Sequence, residues 1–323
     1  MTMKTSVQRG PTPAGQRRPL RGRELMKQLR RHAVLYAMLL IPLAYILIFR
    51  YYPMLGAQIA FRKYSFAKGI FRSPWVGLKY FRQFTQSYAF WRVMRNTILI
   101  SLYAIATFPI PILLAMLVHY MPSKGLRRSV QMVSYAPHFI STVVMVGIIM
   151  QFFATRDGLI NHLLGLVGIL PVDFLGSPQH FYGLYVWTDV WQSMGYNSII
   201  YISSLASIDP ELHEAAKIDG ASLLKRIRHI DLPGILPVVV TMFILRCGSV
   251  LNIGYEKVYL LQNALNISAS EVISTYVYKQ GLAASLPQYS YSTAVGLFVS
   301  VINIFILTLV NTLSRRLAQT SLW

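Results

Sequence analysis

Two groups of residues in this chain are of types and spacings that could do chemistry. The first is a polar stretch between apolar runs, Glu214 to Pro233. It opens on Glu214, Ala215 and Ala216, reaches Gly220, and closes on Ile230, Leu232 and Pro233. An acid, two small helix formers and a glycine make a surface that another macromolecule can approach closely. The second group lies inside apolar runs. Asp189 and Arg246 carry charge where charge is costly, and such groups face a partner or a cavity. Asp189, Gln192 and Tyr196 share one helical face, with Trp187, Trp191 and Asn197 nearby. Aromatic faces suit sugar rings; the competing reading of the tryptophans is an aromatic belt at a membrane boundary.

The elements that must position these residues are transmembrane helices. The chain has 323 residues, of which 54% are hydrophobic and only 13% charged. Soluble domains carry about twice that charged share. A bilayer core of about 30 Å needs roughly 20 helical residues. Six runs fit: Ala33–Phe49, Thr97–His119, Val130–Phe153, Leu184–Ile208, Ile235–Gly254 and Ala294–Leu313. The run Leu159–Leu170 is too short and reads as an interfacial helix. The fold class is therefore all-α, an integral membrane helical bundle. On this layout Asp189 and Arg246 sit at a common depth, roughly 8–12 Å below the outer surface at about 1.5 Å per residue. They are expected either to pair with each other and fix packing, or to leave Arg246 for an anionic solute.

Charge sets the orientation. The net charge is +20. The basic residues gather at the ends of apolar runs rather than on one compact domain, which argues for the positive-inside effect and against nucleic acid. With both termini in the cytoplasm, the inside segments hold eighteen Lys and Arg, whereas the third and fifth loops hold only Arg156, Lys257 and Lys279. The first loop is the exception. It is placed outside yet carries nine cations and no acid. Its cations read either as contacts to anionic headgroups or as an attractor for an acidic solute or acidic binding protein. Leu78, Phe81 and Phe84 at helical spacing point to an interfacial helix there. The first 32 residues form a basic tail ending in a short helix, "RELMKQLRRH".

Enzyme chemistry finds no support. There is no G-x-x-x-x-G-K-[ST] loop for a nucleotide, no H-E-x-x-H, and no Cys/His cluster for zinc. One cysteine, Cys247, excludes an intrachain disulfide. No cofactor is expected on this chain.

Around the polar stretch the local signals agree. Asp209 suits an N-cap, Pro210 the first helical position, and Glu211 and Glu214 the early turns. Gly220 fits a left-handed helix end, and Ser222 can cap a second helix, "LLKRIRHI". The expectation is two short helices at an angle, which on these signals alone is also what an ordinary inter-span loop would show.

The spacing E-A-A, Gly220, then I-x-L-P resembles the cytoplasmic loop of ABC-importer permeases. The segments Tyr51–Phe84, Phe90–Thr97, Gly254–Asn263, Val272–Leu282 and Tyr289–Asn303 resemble carbohydrate-uptake permeases of the aldouronate, alginate and oligosaccharide subgroup. The resemblance implies a type I ABC-importer permease fold in which Glu214, Ala215, Ala216, Gly220, Ile230, Leu232 and Pro233 form the coupling element. It implies a heterodimer with a second permease, two ATP-binding cassette subunits carrying ATP and Mg, and a solute-binding protein, in a bacterial inner membrane. The chain divides into a tail (1–32), the first span and basic outer loop (33–96), a five-span core (97–314) containing the coupling loop (209–233), and a C-terminal tail (315–323). The expected solute is an acidic oligosaccharide such as alginate or aldouronate. The alternatives are a neutral sugar or glycerol-phosphate-type solute, or a secondary transporter. The candidate substrate path is Asp189, Gln192, Tyr196, Asn197, Arg246, Trp187 and Trp191.

Overall fold

The structure, a computed structural model, describes residues 31–318 and 321–322. The expected basic tail lies outside the described residues, apart from Arg31 and His32. Among the described residues there is no strand, only an isolated bridge between Arg62 and Trp75. The chain divides into two compact units, 1–56 and 57–323.

The first unit holds α1 (Ala33–Ile46), which runs through a π-turn, Leu47–Tyr51, into Tyr52–Met54. None of these residues is buried, as an apolar surface that faces lipid requires.

The second unit is built from α2 (Lys79–Thr85) onward. The helices α3 (Ala89–Ala106) and α4 (Pro109–His119) make one apolar run, broken by a turn at Thr107 and Phe108. The prolines at 109 and 111 lack the amide donors that would continue the ladder there. The expected span Val130–Phe153 is not one straight helix. Here α5 (Lys124–Tyr135) and α6 (Thr142–Phe152) meet at a 104° bend. Pro137 sits in the turn between them, and Ser141 restarts the helix by accepting from the Val144 amide at 3.4 Å. The short helix expected after it is α7 (Leu159–Leu166).

Four helical runs are long and apolar enough to cross a membrane: Ala33–Phe61, Ala89–His119, Leu223–Gly248 and Tyr289–Arg316. Counting the bent pair as one span gives five among the described residues. The remaining expected span is α8 (Pro178–Ala206), whose 29 residues extend about 43 Å, more than the bilayer core needs. It stands outside the apolar set because it carries Thr188, Asp189, Gln192, Ser193, Asn197 and Ser198. It packs against α3, α4 and α5, and of these residues only Ser198 is buried by that packing. At Gly195 it comes so near α5 that a Cβ would lie 2.1 Å from the Ser134 carbonyl oxygen.

After α8 come α9 (Pro210–Ile218) and α10 (Leu232–Gly248). The second short helix of the polar stretch is not a separate element. Leu223–Arg226, a π-turn at Ile227–Asp231 and α10 form one 26-residue run. In an α-helix the Pro233 ring would strike the His229 carbonyl. The wider π-turn ending two residues earlier relieves that clash, and the same arrangement precedes Pro53. Between α10 and the last helix, α13 (Tyr289–Ala318), the chain folds into α11 (Tyr255–Leu261), a turn at Ile267–Ser270 and α12 (Ile273–Tyr278).

Three apolar clusters hold the second unit together. One joins α3, α6, α8 and α11 through Ile100, Met145, Phe181 and Val258. Another joins α2, α3, α12 and α13 through Phe84, Val93, Ile273 and Val295. The third joins α4, α8 and α10 through Ile112, Tyr201, Leu205 and Ile235. The helix α2 was expected to lay its apolar side in the membrane interface. Instead Phe84 is wholly buried in the protein and Phe81 packs on Phe61, because α12 and α13 offer a closer apolar surface.

Candidate functional site

The polar stretch forms an exposed helix with well-made ends. The Asp209 carboxylate accepts from the Glu211 amide at 3.0 Å. At the other end the Ala221 amide donates to the Ala216 carbonyl at 2.8 Å and the Gly220 amide to Lys217 at 3.0 Å, a Schellman closure. Gly220 has φ +72°, the left-handed conformation this closure requires. Ser222 caps the following helical run. No residue of α9 is buried. Leu212, Ile218 and Leu224 are exposed, Ile218 at 87%. Glu214 and Ala215 are exposed and Ala216 half-buried. Of the closing residues, Ile230 is half-buried, and Leu232 and Pro233 are exposed.

One polar link ties α9 to the spans. His213 Nε2 lies 3.2 Å from Asp231 Oδ1. Tyr120, just past the end of α4, donates its hydroxyl to Asp231 Oδ2. Asp231 itself is 0% exposed. Burial, and then the hydrogen bond to this carboxylate, push the Tyr120 hydroxyl well above its ordinary range, so it remains a donor. Arg127 donates to the carbonyls of His119 and Met121 at 3.0 and 3.2 Å and fixes the end of α4.

At the other end of α8 and α10, the two charges found in the sequence line the same space. Two adjoining cavities of about 310 and 270 Å³ share Asp189, Arg246 and Ser249. Gln192, Asn252 and Lys257 line the first, and Ser193, Asn197 and Tyr201 the second. Asp189 and Arg246 do not pair. Asp189 Oδ1 lies 3.8 Å from Lys257 Nζ, and among the described residues no carboxylate comes within 4.0 Å of Arg246. The cause is the short helix α11. It brings Lys257 to the α8 face, where Nζ also donates to the Tyr185 carbonyl at 3.2 Å and sits over its ring. Lys257 is 7% exposed. Burial lowers its ammonium to about 8, with Asp189 opposing that fall. Glu256 stands at the rim of the same cavity.

The other proposed path residues are placed differently. Gln192 reaches the cavity but donates to the Ile140 carbonyl at 3.0 Å. Tyr196 stacks on His138 with ring centres 3.9 Å apart, outside both cavities. Trp187 donates to the Tyr103 hydroxyl at 2.7 Å, and Trp191 is half exposed; neither lines a cavity.

Residues 90–319 match the family model described as binding-protein-dependent transport system inner membrane component. The chain belongs to this family. It is a membrane-spanning transport subunit, and its all-α fold is that of the family. It is 38% identical over 304 residues to "Protein LplB" of Bacillus subtilis, covering 94% of this chain and 95% of that protein. It is 39% identical to the same organism's "Polygalacturonan/rhamnogalacturonan transport system permease protein YteP", over 93% of this chain and 94% of that one. A solved bacterial alginate ABC transporter, in complex with an alginate pentasaccharide-bound periplasmic protein, contains a chain matching at TM-score 0.85 and 36% identity, over 93% of this chain and 100% of that one.

Sequence reasoning missed several residues of this permease. Lys257 was counted only as a loop charge, because nothing local shows that α11 folds back on α8. Asp231 occupies the open position of I-x-L-P and carried no signal of its own. Asn96, wholly buried, also went unseen. It donates to the Ser268 and Glu271 carbonyls, both at 2.9 Å, and accepts from Tyr182, tying α3 to α8 and to the insert before α12. An Asn, Thr pair beside an apolar run was the one hint available.

Proposed function

We propose that this permease carries acidic oligosaccharides through the membrane, driven by ATP hydrolysis on a separate subunit. The observation that carries the substrate class is Arg246, a cation lining a membrane cavity with no carboxylate partner, next to an Asp189 already matched by Lys257. A guanidinium so placed pairs with a sugar carboxylate, while the Asn252, Ser249 and Asn197 side chains offer groups for hydroxyls. The names of the relatives, which include a polygalacturonan and an alginate system, point to the same chemistry. Each cavity is at the lower end of ligand-pocket size, as half of a path would be, the other half belonging to a second permease.

In this reading α9 docks on the ATPase subunit. Glu214 meets a basic group there, Ala215 and Ala216 allow close approach, Gly220 sets the bend, and Ile230, Leu232 and Pro233 seat the helix on its span. This chain carries no nucleotide site of its own. Both termini lie in the cytoplasm of a bacterial cell, α9 faces inward, and the α11–α12 insert meets a solute-binding protein outside. Part of the basic first loop is engaged within the chain. Arg62 donates to the Phe71 and Ser73 carbonyls, and Arg92 and Lys279 flank Glu271. Lys63, Lys68, Arg72, Lys79, Arg82 and Arg95 stay exposed and give an acidic partner a long-range attraction that salt should screen.

The test is uptake by the reconstituted complex of a labelled uronate oligosaccharide and a neutral one of equal length. Preference for the acidic sugar, lost in Arg246→Ala, supports the reading. Equal loss for both sugars assigns Arg246 to packing.

A further inference from the structure

We infer that Asp231 is the positioning residue through which movement of α9 reaches the two spans beside the cavity. The inference rests on the reading of α9 as the docking helix. Such a helix must pass displacement to the membrane, yet α9 buries none of its residues. Among the described residues, its one close polar side-chain contact with another element is His213 Nε2 to Asp231 Oδ1, at 3.2 Å. Asp231 is wholly buried and stands at the end of the π-turn that leads into α10. Its second oxygen holds Tyr120, at the end of α4. Three elements therefore meet on one carboxylate: the docking helix, the fifth expected span and the second.

Both spans run from this junction to the cavity. Pro111 of α4 and Met242, Leu245 and Arg246 of α10 line its second chamber. At about 1.5 Å per residue, Pro111 lies roughly 14 Å from Tyr120 and Arg246 roughly 22 Å from Asp231 along their helices. Between junction and chamber, α4 and α10 pack with α8 in a continuous apolar cluster, so a shift at one end is carried to the other by packed side chains. The chemistry suits transmission. A buried carboxylate is costly to separate from its polar neighbours, so Tyr120, which donates to it, and the His213 ring 3.2 Å from its other oxygen should follow it as it moves.

The experiment uses the whole complex, with its ATPase subunits and binding protein, in proteoliposomes. Uptake and ATP hydrolysis are measured on the same sample. His213→Leu should lower sugar moved per ATP by about five-fold or more, while copurified ATPase stays at wild-type stoichiometry. His213→Gln keeps a donor and should restore the ratio to within about two-fold of wild type. Tyr120→Phe should give an intermediate loss. A ratio within about two-fold of wild type in His213→Leu overturns the inference, as does a matched fall in uptake and hydrolysis. Gly220→Val, run in parallel, separates the two levels. If it too keeps the wild-type ratio, the docking reading falls. If only the His213 and Tyr120 variants keep it, docking stands and the route through Asp231 falls.

Discussion

The two ends of the second unit satisfy their polar groups in opposite ways. At the α11–α12 end many polar groups find partners across the fold, although Ser274 Oγ and Gln262 Nε2 there have none among the described residues. Asn96 reaches three partners across the fold, Asn266 bonds Leu175, Leu261, Asn263 and Ser270, and Arg92 and Lys279 share Glu271. At the α9 end one buried carboxylate holds an otherwise bare helix. Buried polar networks rigidify when fully satisfied, whereas an exposed helix with apolar Leu212 and Ile218 on its surface is incomplete until something covers it. The first end is held by contacts across the fold; in the proposed reading the second is moved by a partner.

The largest effect should come from breaking the α11–α12 end. Asn96→Ala strands the buried Glu271 carbonyl, the partly buried Ser268 carbonyl and the Tyr182 hydroxyl, and should destabilise the subunit by about 2–4 kcal/mol in thermal or denaturant unfolding in detergent. If that variant is as stable as wild type, the contrast fails at its stronger side. Next is Gly220→Val, which forces a branched residue into the left-handed region. Coupled uptake should fall by about ten-fold or more, with the span helices intact by circular dichroism. Arg246→Ala should lower uptake of a uronate oligosaccharide by about ten-fold more than that of a neutral one.

A pH series sharpens the cavity further. Lys257 loses its charge as pH rises through about 8, which leaves Asp189 as an unmatched anion beside the path. Uptake of an acidic sugar should therefore decline above that pH, while uptake of a neutral sugar should not. Asp189→Asn removes that anion, so the decline above about pH 8 should be lost in this variant. The smallest effect is expected at Leu212→Ser on α9, within about 0.5 kcal/mol of wild-type stability, since the side chain is exposed. Its effect should appear instead in copurification of the ATPase subunit.

What could be read from the sequence was what local chemistry controls. Asp209, Pro210, Gly220 and Ser222 act through backbone groups within a few residues, so the start, end and bend of α9 were legible. Long apolar runs announced the spans for the same reason. What escaped depends on contacts distant in sequence. Asp189 takes Lys257 rather than Arg246 because α11 folds back on α8, and hydropathy carries no record of that. Phe84 shows helical spacing whether it faces lipid or protein, and only the packing of α12 and α13 decides. The bends at prolines escaped too, since Pro137 lay inside one expected span. Pro137 accompanies a bend of 104°, whereas Pro233 needs only a π-turn within a continuous run.

The central claim is that α9 connects this permease to ATP hydrolysis on another chain. It is tested most directly by measuring oligosaccharide uptake and ATP hydrolysis together in proteoliposomes bearing wild type or Gly220→Val. The account predicts binding-protein-stimulated hydrolysis with uptake in wild type, and loss of uptake per ATP in the variant. Wild-type stimulation and wild-type uptake in Gly220→Val would contradict it.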